Sequence, residues 1–167
     1  MPYTMSTDGL EEVSQILNDL EERAGGVAAK GLYEGAGVMA QSLDSEAKAV
    51  ATAPFKWASA SRGEMRLPSP EEKAVILTDG SFGIAKFDKS GSEVKTSVGY
   101  GQSGYTEMIG KVVPIPKIAN AINSGTSFMR KQPFVRKAAR KGGKKAVDAI
   151  VKSIQKSFND IMEGKSQ

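Results

Sequence analysis

The chain contains no cysteine and no histidine. The first absence excludes disulfides and thiol nucleophiles, the second excludes an imidazole base, and together they remove the ligands that zinc sites ordinarily use. Carboxylate chemistry with magnesium or calcium, or a Ser/Lys pair, is what composition leaves open. Long hydrophobic runs are missing too: Ala74-Val75-Ile76-Leu77 is the longest, far short of the roughly 20 residues needed to span a bilayer. The first twelve residues lack the basic start and apolar centre of a signal peptide, so a soluble chain that stays inside the cell when made, with no membrane contact, is the expectation.

What is present is ordinary in bulk: 167 residues, 40% hydrophobic and 25% charged, with 18 glycines and 7 prolines. This fits one domain over residues 1–167 with an irregular middle. Charge is unevenly spread. Residues 1–60 carry 4 basic and 9 acidic side chains, residues 61–128 carry 8 and 7, and residues 129–167 carry 11 and 3. Such a gradient predicts a polarised molecule whose ends attract each other's copies or whose basic end meets nucleic acid.

Asp8 and Glu11 have the spacing of a helix cap and its partner, and Leu10, Val13, Ile16, Leu17 and Leu20 follow at helical intervals. The glycine pair Gly25 and Gly26 predicts the end of that helix. A second helix over 27–50 carries an apolar stripe through Leu32, Ala36, Met39, Leu43 and Val50, with Ala28, Gly31 and Gly35 on another side. Interior glycine costs up to about 1 kcal/mol relative to alanine, so Gly31 and Gly35 point to a close backbone approach, to the first helix or to a neighbouring subunit. Residues 52–70 read as a long loop anchored by Phe55 and Trp57. Pro70-Glu71-Glu72 opens a short helix ending near Asp79 and Gly80. Residues 81–87 and 93–100 alternate as the two strands of a hairpin, 101–116 reads as a second long loop, and 117–123 as a short apolar helix. From Pro133 a last helix, weakened at Gly142 and Gly143, presents Val147, Ile150, Val151, Ile154, Phe158, Ile161 and Met162 as one stripe. The expected class is therefore α+β: two N-terminal helices, a small central antiparallel sheet or hairpin, and a long basic C-terminal helix.

Several motifs invite a chemical reading. Gly99-Tyr100-Gly101-Gln102-Ser103-Gly104 matches G-x-G-x-x-G after a strand, but Gly110, Pro114 and Pro116 forbid the long helix a dinucleotide fold places next, and position 124 is serine rather than acidic. Ser45 to Lys48 and Ser153 to Lys156 fit S-x-x-K without the companion motifs of penicillin-binding enzymes. No catalytic residue, metal ligand or cofactor-binding residue is assigned, and the chain is expected not to be an enzyme. Arg130, Lys131, Arg136, Lys137, Arg140, Lys141, Lys144 and Lys145 form the main electrostatic feature. They suit a solvated helix face, DNA phosphates or an acidic subunit surface. Only Phe134 is interleaved with them, which argues against base recognition.

One segment has a family likeness. Asn123-Ser124-Gly125-Thr126-Ser127, followed after a short polar gap by Lys131-Gln132-Pro133-Phe134-Val135-Arg136-Lys137-Ala138, resembles the E-x-G-T-S…P-F-[LIV]-R-x-A signature of the short tail-component proteins of long-tailed bacteriophages. Gly9-Leu10, Ala53-Pro54 and Val98-Gly99 fit the same pattern, while Asn123 stands where the pattern is acidic and region 52–80 is longer. The resemblance implies a virion protein of the phage neck, made in the host cytoplasm, that completes the tail and joins it to the head. Its implied partners are its own copies in a hexameric ring, other neck and tail proteins, and packaged DNA contacted without sequence preference. A small basic architectural DNA-binding protein is the alternative. Physically the segment reads as a structural corner. Gly125 turns the chain, Thr126 or Ser127 braces the turn, Pro133 starts a helix and Phe134 plants it in the core.

Overall fold

The computed structural model describes residues 8–54, 65–90, 93–101, 104–108 and 110–163. Its class is α+β. Helix α1 (Asp8–Lys48) is followed by α2 (Pro70–Ile76), three pairs of short antiparallel strands, α3 (Ile115–Ser124) and α4 (Phe134–Met162). The expected break at Gly25 and Gly26 is absent, and α1 is one helix of 41 residues, roughly 60 Å long. Nothing lies within 4 Å of a Cβ built at either glycine. Propagation of an established helix therefore outlasts a penalty of about 1 kcal/mol per glycine without any special contact. Likewise α4 passes through Gly142 and Gly143 without interruption.

The two long helices run antiparallel, and glycines set their spacing. A Cβ on Gly35 would lie 2.5 Å from Ile150 Cγ1, one on Gly31 2.8 Å from Ile154 Cγ1, and one on Gly142 2.5 Å from Ser42 Oγ. The close approach that Gly31 and Gly35 foretell is thus made to α4 of the same chain. Continued past Gly31, this register brings α4 to its end opposite the turn at residues 21–23, and about four turns of α1 run beyond it.

The expected hairpin is present but interrupted. Strand β1 (Phe82–Ile84) pairs with β4 (Val98–Tyr100), and β2 (Asp88–Ser90) with β3 (Glu93–Lys95). Across the gap Ala85 N–H donates to Ser97 O at 2.8 Å and Thr96 Oγ1 donates to Ala85 O at 2.8 Å. The region read as loop 101–116 holds a second hairpin, β5 (Tyr105–Met108) with β6 (Lys111–Pro114), whose turn uses Gly110 at φ 68°. Phe55 and Trp57, the expected anchors of the 52–70 loop, lie outside the described residues.

The core lies at one end of the helix pair. Leu43, Ala47 and Val50 from α1 and its end, Ile76 from α2, Ile118, Ala119 and Ile122 from α3, and Phe134 and Ala138 from α4 meet there around Met129. Tyr100 seals the core toward the first hairpin, 6.2 Å from the Phe134 ring edge-on and 5.7 Å from Phe82. Its hydroxyl is buried and has no hydrogen-bond partner among the described residues.

Burial, with Asp44 as a smaller cause, pushes the Tyr100 phenol up to about 12. The folded state therefore keeps a proton that the unfolded chain releases near an ordinary pKa of about 10. The resulting stability is fully present below pH 10 and is lost as pH rises toward 12. Tyr100→Phe is expected to stabilise the chain at neutral pH by about 1 kcal/mol in urea denaturation, because the unpaired hydroxyl is gone. It also removes that share of the alkaline slope. A less stable variant with the parental slope contradicts both points.

Candidate functional site

The corner between α3 and α4 is built largely by its own backbone. Gly125 ends α3 at φ 79°, ψ 170°, a conformation close to exclusive to glycine, and donates to Ala121 O at 2.9 Å. A Cβ there would meet Lys131 N at 3.0 Å. Thr126 Oγ1 accepts from Met129 N–H at 3.0 Å, and Thr126 N–H donates to Met129 O at 3.0 Å, closing a small loop over buried Met129. Ser127 is exposed, so Thr126 is the residue that braces the turn. Pro133 sits one position earlier than a first-turn proline, at the N-cap, where it offers no side-chain acceptor. Asn123 supplies one from the preceding helix, its Oδ1 accepting from Val135 N–H at 3.1 Å. Asn123 therefore performs the capping task that Pro133 cannot.

Two further segments are fastened to this corner. Gln132 donates through Nε2 to Ala51 O at 2.6 Å and accepts from Ala51 N–H at 2.9 Å, tying the corner to the end of α1. Arg66 N–H donates to Phe128 O and Arg130 N–H donates to Arg66 O, both at 2.8 Å. The Arg66 guanidinium forms a two-pronged pair with Glu72 at 2.7 and 2.6 Å and lies 5.9 Å from the Phe128 ring centre. Glu72 hydrogen-bonding, ahead of burial in the opposite direction, raises the Arg66 pKa. Glu72 also closes a capping box with Ser69 at the start of α2. Sequence reading missed Arg66, Ser69, Glu72 and Gln132. For the box a signal was present, since Ser69-Pro70-Glu71-Glu72 is S-x-x-E. For the Arg66 contact to residues 128–130 there was none.

All eight basic residues singled out in the sequence are exposed. Arg130 and Lys131 lie on the corner. Arg136, Arg140 and Lys144 follow at four-residue steps along one ridge of α4, and Lys137, Lys141 and Lys145 along the next. Among the described residues Lys141 alone of the eight is held in an ion pair, with nearly buried Glu46 of α1. The others form an open cationic surface over the corner and the first three turns of α4. Of the two S-x-x-K matches, Lys48 pairs with Asp44 at 2.7 Å rather than serving a nucleophile at Ser45.

An open groove of about 620 Å³ lies beside β1 and β4, lined by Gly80, Ile84, Ser97 and Gly101 among others, with no carboxylate or ammonium group in its wall, and a smaller one of about 280 Å³ between α1 and α4 is lined by Ser42, Ser45, Glu46, Lys141 and Lys145. The G-x-G-x-x-G glycines end β4 and lead into strand β5, not a helix, and the first N–H of α3, that of Ile115, is already taken by Gly104 O at 2.9 Å. Among the described residues no three acidic side chains gather as a metal site, and no helix is long and apolar enough to cross a membrane. No protein-family model matches the chain, no curated protein matches it in sequence, and no solved structure matches its fold.

Proposed function

We propose that the chain is a non-catalytic structural protein of a bacteriophage neck, built into the virion as a ring of its own copies that completes the tail and joins it to the head. The observation that carries the reading is the separation of charge onto two helices. Residues 8–22 of α1 hold six carboxylates and no cation, while α4 holds eight cations against two carboxylates. A closed ring of identical subunits needs two different, complementary patches on each, and opposite charge on separate elements supplies them. The rigid corner around Gly125 and Phe134 supports the same reading, because it fixes the direction in which the cationic ridge leaves the core. The signature resemblance supplies the phage setting. Negative-stain microscopy of particles made without this chain is expected to show separate heads and tails; joined virions in normal number contradict the role.

The exposure of the cationic ridge favours one alternative, a small architectural protein bound to DNA phosphates through α4. Charge reversal at Arg136, Arg140 and Lys144 separates the two. In a ring contact it leaves subunits monomeric. In a DNA-binding protein it abolishes a gel shift that weakens steeply with salt.

A further inference from the structure

We infer that the corner before α4 is a stacking platform for an unpaired base, so that the cationic surface takes single-stranded nucleic acid in preference to duplex. Residues 128–130 run extended beside Arg66 and are bridged to it at Met129 in parallel register. Side chains alternate along such a stretch. Met129 is 3% exposed and belongs to the core, so its neighbours Phe128 and Arg130 share the outer side. Phe128 is 53% exposed, and Met65, which the register places opposite it, is 59% exposed. The Arg66 guanidinium, fixed by its two bonds to Glu72, stands 5.9 Å from the Phe128 ring centre. The ring is thus held by a cation and otherwise open to solvent, the setting in which an aromatic side chain accepts a base of any sequence.

Charge completes the site. Arg130, on the same side as the ring, and Lys131 are exposed and stand outside every ion pair among the described residues. They lead into the ridge of Arg136, Arg140 and Lys144, which covers about 12 Å of α4. A strand laid over the corner and the ridge meets up to five cations with its phosphates and turns one base onto Phe128. The bases of a duplex are already paired and stacked, and a ring fixed on a corner reaches none of them without prising them apart. An unpaired strand presents its bases freely. Phe134, the aromatic residue interleaved with the cations in sequence, is buried and takes no part. This deepens the nucleic-acid reading of the cationic surface, on which it rests, and does not draw on the ring.

Fluorescence anisotropy of the full chain with labelled oligonucleotides at low salt tests this, a short oligothymidylate being compared with a hairpin duplex of equal charge. Tighter binding of the single strand is expected. Phe128→Ala is expected to weaken single-strand binding roughly tenfold and to leave duplex binding unchanged, and Phe128→Tyr to restore it. Arg130→Gln is expected to flatten the log–log salt dependence of single-strand binding by about 0.7. Phe128→Leu, which keeps apolar bulk and removes the aromatic face, is the second probe should the alanine chain lose helicity by circular dichroism. Equal affinity for the two forms, with alanine at position 128 harmless, overturns the platform and leaves phosphate binding standing. No binding of either form at low salt overturns the platform and the DNA-binding reading together. Insertion of the corner into anionic phosphatidylglycerol vesicles, with no binding of the oligothymidylate, also overturns it.

Discussion

Phe134→Ala is expected to destabilise the chain by about 4 kcal/mol, with an unchanged denaturant slope. Phe134 is 2% exposed and is among the largest fully buried side chains. It is also the first residue of α4, and its ring meets Tyr100 edge-on at 6.2 Å. Truncation removes the transfer energy of a whole ring and opens a cavity between α3, α4 and the hairpin. It also releases the helix from the corner that orients it. Phe134→Leu keeps most of the volume and is expected to cost about 1.5 kcal/mol. Urea titrations of the two variants check this; losses below 1 kcal/mol for both would mean that the corner does not anchor α4.

Gly35→Leu is expected to cost about 3 kcal/mol, although leucine is the better helix former. Its Cβ alone would fall 2.5 and 2.7 Å from Ile150 Cγ1 and Cδ1 and 3.1 Å from Ala146 O. Ile150 is itself half-buried, and the backbone carbonyl moves only if the helices part. Gly25→Ala supplies the contrast, since no atom lies within 4 Å of its new Cβ. There the propensity gain of up to about 1 kcal/mol should appear as added stability. Thermal unfolding of the pair reads both signs: for a chain of this size a 3 kcal/mol loss lowers Tm by roughly 6–12 °C. A tolerated leucine at position 35 would show that α1 and α4 do not pack through their glycines.

The same glycine pairs mark where sequence reading succeeded and where it stopped. Apolar spacing located α1, α3 and α4, and Gly31 and Gly35 announced a close approach, because a glycine inside a helix has a cost that some contact must offset. Gly25 and Gly26 carry the same local signal with no contact at all. A rule about glycine could not distinguish the two cases without knowing that α4 lies alongside residues 31 and 35. The second hairpin was hidden by composition: Gly101, Gly104, Gly110 and two prolines outweighed the β-branched residues between them, and the turn at Gly110 lacks an Asn-Gly or Asp-Gly pair. The cationic ridge was legible as charge. Its openness was not, since the position of Glu46 beside Lys141 depends on helix register. Arg66 bonding to Phe128 and Arg130 joins residues more than sixty positions apart, which no local pattern encodes.

Exposed charge on α4 and opposite charge in the sequence of the leading turns of α1 make salt the natural variable for the proposed assembly. Attraction between such surfaces is screened over a Debye length of about 8 Å at physiological salt and about 3 Å at 1 M. The most direct measurement is the mass of the purified chain in solution, alone and with tail components, across that range. Self-assembly through these helices predicts a discrete closed oligomer at low salt that shifts toward monomer as salt rises, and that does not form when Arg136, Arg140 and Lys144 are reversed. A chain that stays monomeric at every salt concentration, with and without tail components, contradicts it.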